Sequence, residues 1–203
     1  MKKQLCLTAD IGGTNTRVAL FDNEKLLENS CVTYSNNEYD SFENIIKNYL
    51  DLVSESSVRF AGIAAAGPIQ EKSAKMTNLS WSLTERSIAS ITGAEQVGII
   101  NDLQAQGYGL TSLDKSDLEP ITVGSQSANS NATRLVCGIG TGFNAAPVFN
   151  VGHKIFVPPS EAGHSQLSLT DKSYQPFFAK IGSLNSFVSV EDILSGRGLE
   201  NVG

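Results

Sequence analysis

The chain has 203 residues, 40% hydrophobic and 18% charged, the balance of a globular protein long enough to bury a core. Fifteen basic residues against 21 acidic ones leave a formal charge of -6, and no Lys/Arg cluster gathers positive charge, which argues against a nucleic-acid partner. No apolar run is long enough to span a bilayer, so no membrane partner is expected.

Met1-Lys2-Lys3 leads into a short mixed stretch that meets Asp10 almost at once, which does not read as a signal peptide. Gln4–Ala9 then reads as a strand, Asp10-Ile11-Gly12-Gly13-Thr14-Asn15-Thr16 as a turn-rich loop, and Arg17–Phe21 as a second strand, followed by Ser30–Tyr34. A Walker loop or a dinucleotide fingerprint would run strand, glycine loop, helix, so both are excluded by the order of elements. Asp40 and Glu43 have capping-box spacing, and Phe42, Ile45, Ile46, Tyr49, Leu50 and Val53 form one apolar helical face. Val58–Ala66 reads as a buried strand ended by Gly67-Pro68. A second helix is expected from Ser82 and Glu85 to Gly93, and Val97–Ile100 is a strand that delivers Asn101-Asp102 at its C-terminal end. This alternation predicts an α/β domain over residues 1–110.

Past Leu110 the texture changes. Ser125–Thr133 reads as a solvated loop, Leu135–Ile139 as a strand entering a second glycine loop, Gly138–Gly142, and Phe143–Asn150 as the strand that leaves it. Helices are expected around Tyr174–Ile181 and from Val190. Residues 111–203 thus repeat the opening motif, which suggests two related α/β halves facing each other across a cleft. The three cysteines, Cys6, Cys31 and Cys137, are far apart among apolar residues and read as buried reduced thiols of a cytoplasmic protein.

Glycine loops let backbone amides approach phosphate oxygens, and successive N–H groups there form an anion-binding concavity. Thr14 and Thr141 add hydroxyl donors at matching places. Two such loops, each between strands and each opening its own half, point to a nucleotide. Asp102, at the end of a strand, fits either a catalytic base or the cap of a helix starting at Leu103.

The motifs resemble those of the bacterial glucokinases, sugar kinases of the actin-like ATPase superfamily. The likeness runs through Asp10–Arg17, Met76-Thr77-Asn78 with Trp81, Ile99–Asp102, Gly107–Leu110, Gly138–Gly142, Pro159–His164 and Val190–Leu199, in order and over essentially the whole chain. It implies two actin-like (ribonuclease H-like) domains flanking a cleft, the second incomplete here. It also implies ATP-dependent phosphorylation of glucose at the 6-hydroxyl, the entry of glucose into glycolysis, by a homodimer. The resemblance makes Asp102 the general base, with Asn101, Glu161, His164 and Glu191 as further sugar ligands and Asn78 touching the sugar or orienting the loop that does. Gly12, Gly13, Thr14, Asn15, Gly140, Thr141 and Gly142 would contact the ATP phosphates, and Asp10 would hold Mg²⁺. Asn101 joins a donor and an acceptor on one short side chain, which suits a sugar hydroxyl. Each of these residues also has a plainer reading: Glu161 and His164 as a surface turn, Glu191 as a first-turn dipole partner, Asp10 as a turn residue.

Two departures from the pattern stand out. Phe143 is followed by Asn144 where the family usually has glycine; asparagine tolerates positive φ, so the loop is expected to survive. The family also continues past Gly203 with the chain that holds the adenosine, so these residues alone are expected to show little kinase activity. Rival readings are a ROK-type kinase for another hexose and a sugar-binding relic without kinase activity. ROK enzymes carry a cysteine-rich zinc site after the Glu-x-Gly-His motif; no cysteine follows His164, and no structural zinc is expected.

Overall fold

The computed structural model describes residues 4–55, 57–76, 79–122, 132–140, 142–152, 154–168, 171–182 and 187–202. The chain divides into two compact units, Met1–Ala105 and Gln106–Gly203.

The first unit is built on a six-stranded sheet. Strand β1 (Leu5–Ile11) turns through the first glycine loop into antiparallel β2 (Asn15–Asp22), whose far edge pairs with β3 (Lys25–Leu26) and β4 (Val32–Ser35). Helix α1 (Phe42–Leu52) then carries the chain to β5 (Phe60–Ala65), which pairs parallel to β1. A small antiparallel sheet follows, β6 (Ile69–Gln70), β7 (Ser73–Lys75) and β8 (Ser82–Thr84), which no sequence period announces because its strands are two or three residues long. Helix α2 (Glu85–Thr92) leads into β9 (Gln96–Asn101), parallel to β5 and at the edge of the main sheet, and α3 (Asp102–Gly109) begins at its end.

The apolar period of α1 is realised as burial. Phe42, Ile45, Ile46, Tyr49 and Leu50 all join the core with Leu7, Ile11, Val18, Leu20 and Ile63, each full burial being worth about 1.5–3 kcal/mol. The caps differ from expectation by a residue or two. Ser41, not Asp40, accepts from the Asn44 amide, and the capping box of α2 is Thr84 with Ser87 rather than Ser82 with Glu85. In both places neighbouring polar residues could serve, and the extended backbone at Ser41 and Thr84 decides which one does. Gly93 ends α2 as expected, at φ 68°, in the left-handed region where a side chain is strained.

In the second unit β10 (Arg134–Ile139), β11 (Phe143–Val151) and β12 (Lys154–Phe156) form an antiparallel sheet, followed by α4 (Gln175–Gly182), α5 (Glu191–Leu194) and α6 (Gly196–Val202). Val136, Ala146, Val148, Val157, Ile181 and Val188 are its buried apolar residues among the described ones, and a Cβ at Gly107 would collide with Val157, so that glycine permits close packing. The expected loop at residues 125–133 lies outside the described residues except for 132 and 133. The cysteines are free, but Cys31 and Cys137 are exposed and Cys6 is only half-buried, which corrects the expectation of three buried thiols. Along their strands Cys6 and Cys137 alternate with Leu5, Leu7 and Val136, which take the buried side.

Candidate functional site

Parallel pairing brings three strand ends of the first unit into line. Ile11 of β1 is opposite Ala65 of β5, which is opposite Asn101 of β9. Asp10 therefore lies at the same edge as Asp102, the edge where open α/β sheets present residues to ligands.

Asn101 is buried; its Oδ1 accepts from the Leu103 amide at 3.0 Å and its Nδ2 points to the Gly67 carbonyl at 3.4 Å. Asp102 Oδ1 accepts from the same Leu103 amide at 2.8 Å. Helix α3 begins at Asp102 itself, so the capping bond to the Leu103 amide comes from Asn101, one residue earlier than expected, and Asp102 adds a contact there with one carboxylate oxygen. Burial pushes the Asp102 carboxyl above the ordinary carboxylate range, and the charge of Asp10 pushes the same way. The Leu103 amide, the residue's own amide and the Asn101 side chain pull against them without winning. A carboxylate so placed holds a proton more strongly than a free one, as a base should.

The first glycine loop closes with the Gly12 amide donating to the Asn15 carbonyl at 2.9 Å. Gly12, Thr14 and Asn15 line a shallow concavity of about 240 Å³ together with Asp10 and Arg17, and Gly13 is exposed beside them. A second concavity of about 360 Å³, lined by Gln4, Leu5, Ser57, Val58, Arg59, Gly93 and Glu95, opens at the opposite ends of the same strands. It holds none of the candidate residues, so size does not select the site. The exposed carboxylate of Asp10 at the first hollow is a donor set that suits Mg²⁺, which is commonly held by one or two carboxylates plus phosphate oxygens.

This loop has a brace that sequence reasoning missed. Asn36, exposed by only 2%, donates from Nδ2 to the Gly12 carbonyl at 2.9 Å and accepts at Oδ1 from the Thr16 hydroxyl at 2.7 Å. Its backbone amide donates to the Thr14 carbonyl at 2.8 Å. Its partners lie 20 or more positions away and two are backbone carbonyls, so no local spacing could have revealed it.

In the second unit the glycine loop closes with the Gly140 amide on the Gly142 carbonyl, and the Gly196 amide donates to the Gly140 carbonyl at 2.7 Å. Glu191 is drawn to the loop as well. Its Oε2 accepts from the Phe143 amide at 3.0 Å, and its Oε1 from Arg197 at 2.8 Å. Glu161 and His164 flank a single helical turn with exposed side chains whose 3.7 Å approach is too long for a hydrogen bond. Between them Gly163 sits directly on the Phe143 carbonyl, where any Cβ would collide.

Asn144 is extended within β11, so the positive φ expected to justify asparagine there is not used. Its side chain instead bonds the turn that carries Glu161. The structure brings Asp10, Gly12, Gly13, Thr14, Asn15, Asn101 and Asp102 to one edge of the first unit. It brings Gly140, Gly142, Glu161, His164 and Glu191 around Phe143–Asn144 in the second. Asn78 and Thr141 lie outside the described residues; Met76, exposed by 3%, and Trp81, by 5%, are joined by an amide–carbonyl bond on either side of the former.

The family model that describes glucokinase matches residues 7–202. The chain belongs to the glucokinase family. Glucokinase of Chromohalobacter salexigens is 33% identical over 198 residues, which are 95% of this chain and 60% of that protein. Glucokinase of Brucella abortus is 30% identical over 197 residues, 97% of this chain and 57% of that protein. The chain thus spans under two thirds of the length of these relatives. A glucokinase from an Antarctic psychrotroph superposes with a TM-score of 0.80 at 30% identity over 98% of this chain and 63% of its own. Glucokinase from Balamuthia mandrillaris in complex with glucose follows at 0.74, with 24% identity and coverage of 98% and 61%. A ROK family glucokinase from Streptomyces griseus in complex with glucose and AMPPNP shares the fold at 0.56, with 17% identity and coverage of 98% and 70%. The fold is accordingly the mixed α/β fold of the actin-like sugar kinases. No helix among the described residues is long and apolar enough to cross a membrane.

Proposed function

We propose that the protein carrying this chain phosphorylates glucose at its 6-hydroxyl with ATP, at the start of glycolytic sugar breakdown. The observation that carries the reading is Asp102: a carboxylate at the end of a parallel strand, raised in pKa by burial and by Asp10, in a chain of the glucokinase family. A sugar hydroxyl is a poor nucleophile at neutral pH. Asp102 takes its proton as the oxygen attacks the terminal phosphorus of ATP, and the leaving group is ADP.

The remaining work is positioning. The loops at Gly12–Asn15 and Gly140–Gly142 offer backbone amides, and Thr14 and Thr141 offer hydroxyls, to phosphate oxygens. Asp10 would hold Mg²⁺, which supplies positive charge to the phosphates when bound. Asn78, Asn101, Glu161, His164 and Glu191 bind the sugar hydroxyls. Glu191 already accepts from Phe143 and Arg197, and a carboxylate has about four acceptor positions, so it retains capacity for a hydroxyl.

The test is ADP release by the longest protein that carries this chain, with ATP and Mg²⁺, over a panel of hexoses that includes 6-deoxyglucose. Turnover of about 1–10³ s⁻¹ with glucose and none with 6-deoxyglucose is expected. Equal ADP release with and without a 6-hydroxyl would defeat the proposal.

A further inference from the structure

We infer that Asn144 is a positioning residue for sugar binding: it fixes the Ser160–Ala162 turn and thereby aims Glu161. The inference rests on the hexose-kinase reading above and adds to it a residue outside the sugar and phosphate ligands.

Three bonds make the clamp. Asn144 Nδ2 donates to the Ser160 carbonyl at 2.6 Å, and Oδ1 accepts from the Ala162 amide and the Ala145 amide, both at 2.9 Å. The amide orientation is forced: flipped, its oxygen would face a carbonyl and its NH₂ would face two N–H groups. The Ser160 hydroxyl adds a fourth bond, to the Ala145 carbonyl at 2.5 Å. Both chain neighbours of Glu161 are therefore pinned to the two residues that follow Phe143.

Among the described residues, the other side-chain contacts of this turn hold it less firmly, the Ser160 hydroxyl reaching only the Ala145 carbonyl. The Glu161 and His164 side chains are mostly exposed and do not hydrogen-bond each other, so neither fixes the other. Gly163 meets the Phe143 carbonyl by contact, which permits the close approach without directing it. The glycine loop, by contrast, has anchors that do not involve the Asn144 side chain: Gly140 to Gly142, Gly196 to Gly140, and Phe143 to Glu191. Loss of the Asn144 amide should free the sugar-side turn and leave the phosphate-side loop in place. Aspartate would keep the two accepted amides but set an oxygen against the Ser160 carbonyl. Alanine removes all three Asn144 bonds and leaves the turn only the Ser160–Ala145 bond.

The experiment compares the parent protein with Asn144→Ala and Asn144→Asp by steady-state kinetics and by amide hydrogen exchange without sugar. For Asn144→Ala the KM for glucose should rise about tenfold, while the KM for ATP should change less than about twofold, with Asn144→Asp between parent and Ala for glucose. The Ala162 amide should lose about tenfold in protection, and the amides of Gly140 and Phe143 should not change. Equal rises in both KM values would mean a general structural role and overturn the inference, as would an unchanged KM for glucose. A parent that phosphorylates no hexose would defeat the kinase reading. The Ala162 exchange rate would still decide whether the clamp exists, and unchanged protection there would overturn it.

Discussion

The two glycine loops are held from different places. In the first unit the loop leans on Asn36, which is almost fully buried, under a sheet whose apolar side chains form one cluster with α1. In the second the loop and the turn beside it are held by Asn144, Glu191 and Gly196, none of them buried, while Leu135, Ile139, Val151 and Phe156 on the neighbouring strands are more than half exposed. A brace rooted in the core shares the stability of the whole unit. A brace made of partly exposed hydrogen bonds can fail by itself. Changes in the first unit should therefore appear as lost stability or lost chemistry, and changes in the second as lost ligand positioning.

The largest effect should come from the first unit's chemistry. Asp102→Asn keeps the shape and removes the basic oxygen, so kcat should fall by roughly 10²–10⁴-fold while glucose still binds by calorimetry. The same substitution should raise the melting temperature at pH 7. Because folding raises the Asp102 pKa, its contribution favours the folded state only below the unfolded value and is lost as pH rises through the folded pKa. At neutral pH the ionised side chain opposes folding, and Asn removes that opposition. The gain should shrink as pH is lowered through the folded pKa, and a melting temperature that falls instead would mean that the half-buried carboxylate is stabilised by its partners.

Asn36→Ala comes next. It strands the Gly12 carbonyl and the Thr16 hydroxyl, and should cost roughly 2–3 kcal/mol in urea unfolding. A loss within 0.5 kcal/mol, the range usual for ordinary surface changes, would break the contrast between core-rooted and surface-rooted braces.

Gly163→Ala in the second unit must displace the turn from the Phe143 carbonyl, a strain of roughly 1–3 kcal/mol. Its signature should be a higher KM for glucose with little change for ATP. Arg197→Ala should be the mildest, under about 1 kcal/mol and weaker at high salt, because the arginine side chain is 70% exposed and the Phe143 amide still holds Glu191.

Much of this organisation was legible in the sequence, for physical reasons that also mark the limit. The face of α1 repeats at helical spacing over three turns, and the glycine loops sit between recognisable strands, so both elements announce themselves locally. Asp102 could be placed at a strand end by the same logic. Sheet β6–β7–β8 could not, because two- and three-residue strands carry no period. Asn36 and Asn144 were missed as braces because each acts on groups remote in sequence: 24 residues from Asn36 to Gly12, and 16 from Asn144 to Ser160. Ser41 and Thr84 displaced the expected caps because polar neighbours compete and the entering backbone chooses between them.

The decisive reaction is phosphoryl transfer to the 6-hydroxyl of glucose. It is tested most directly by incubating the longest protein that carries this chain with glucose, ATP and Mg²⁺ and locating the phosphate on the product by NMR. The expected product is glucose 6-phosphate, formed by the parent protein and reduced to a trace in Asp102→Asn. Phosphate on another oxygen, or equal product from both proteins, would contradict it.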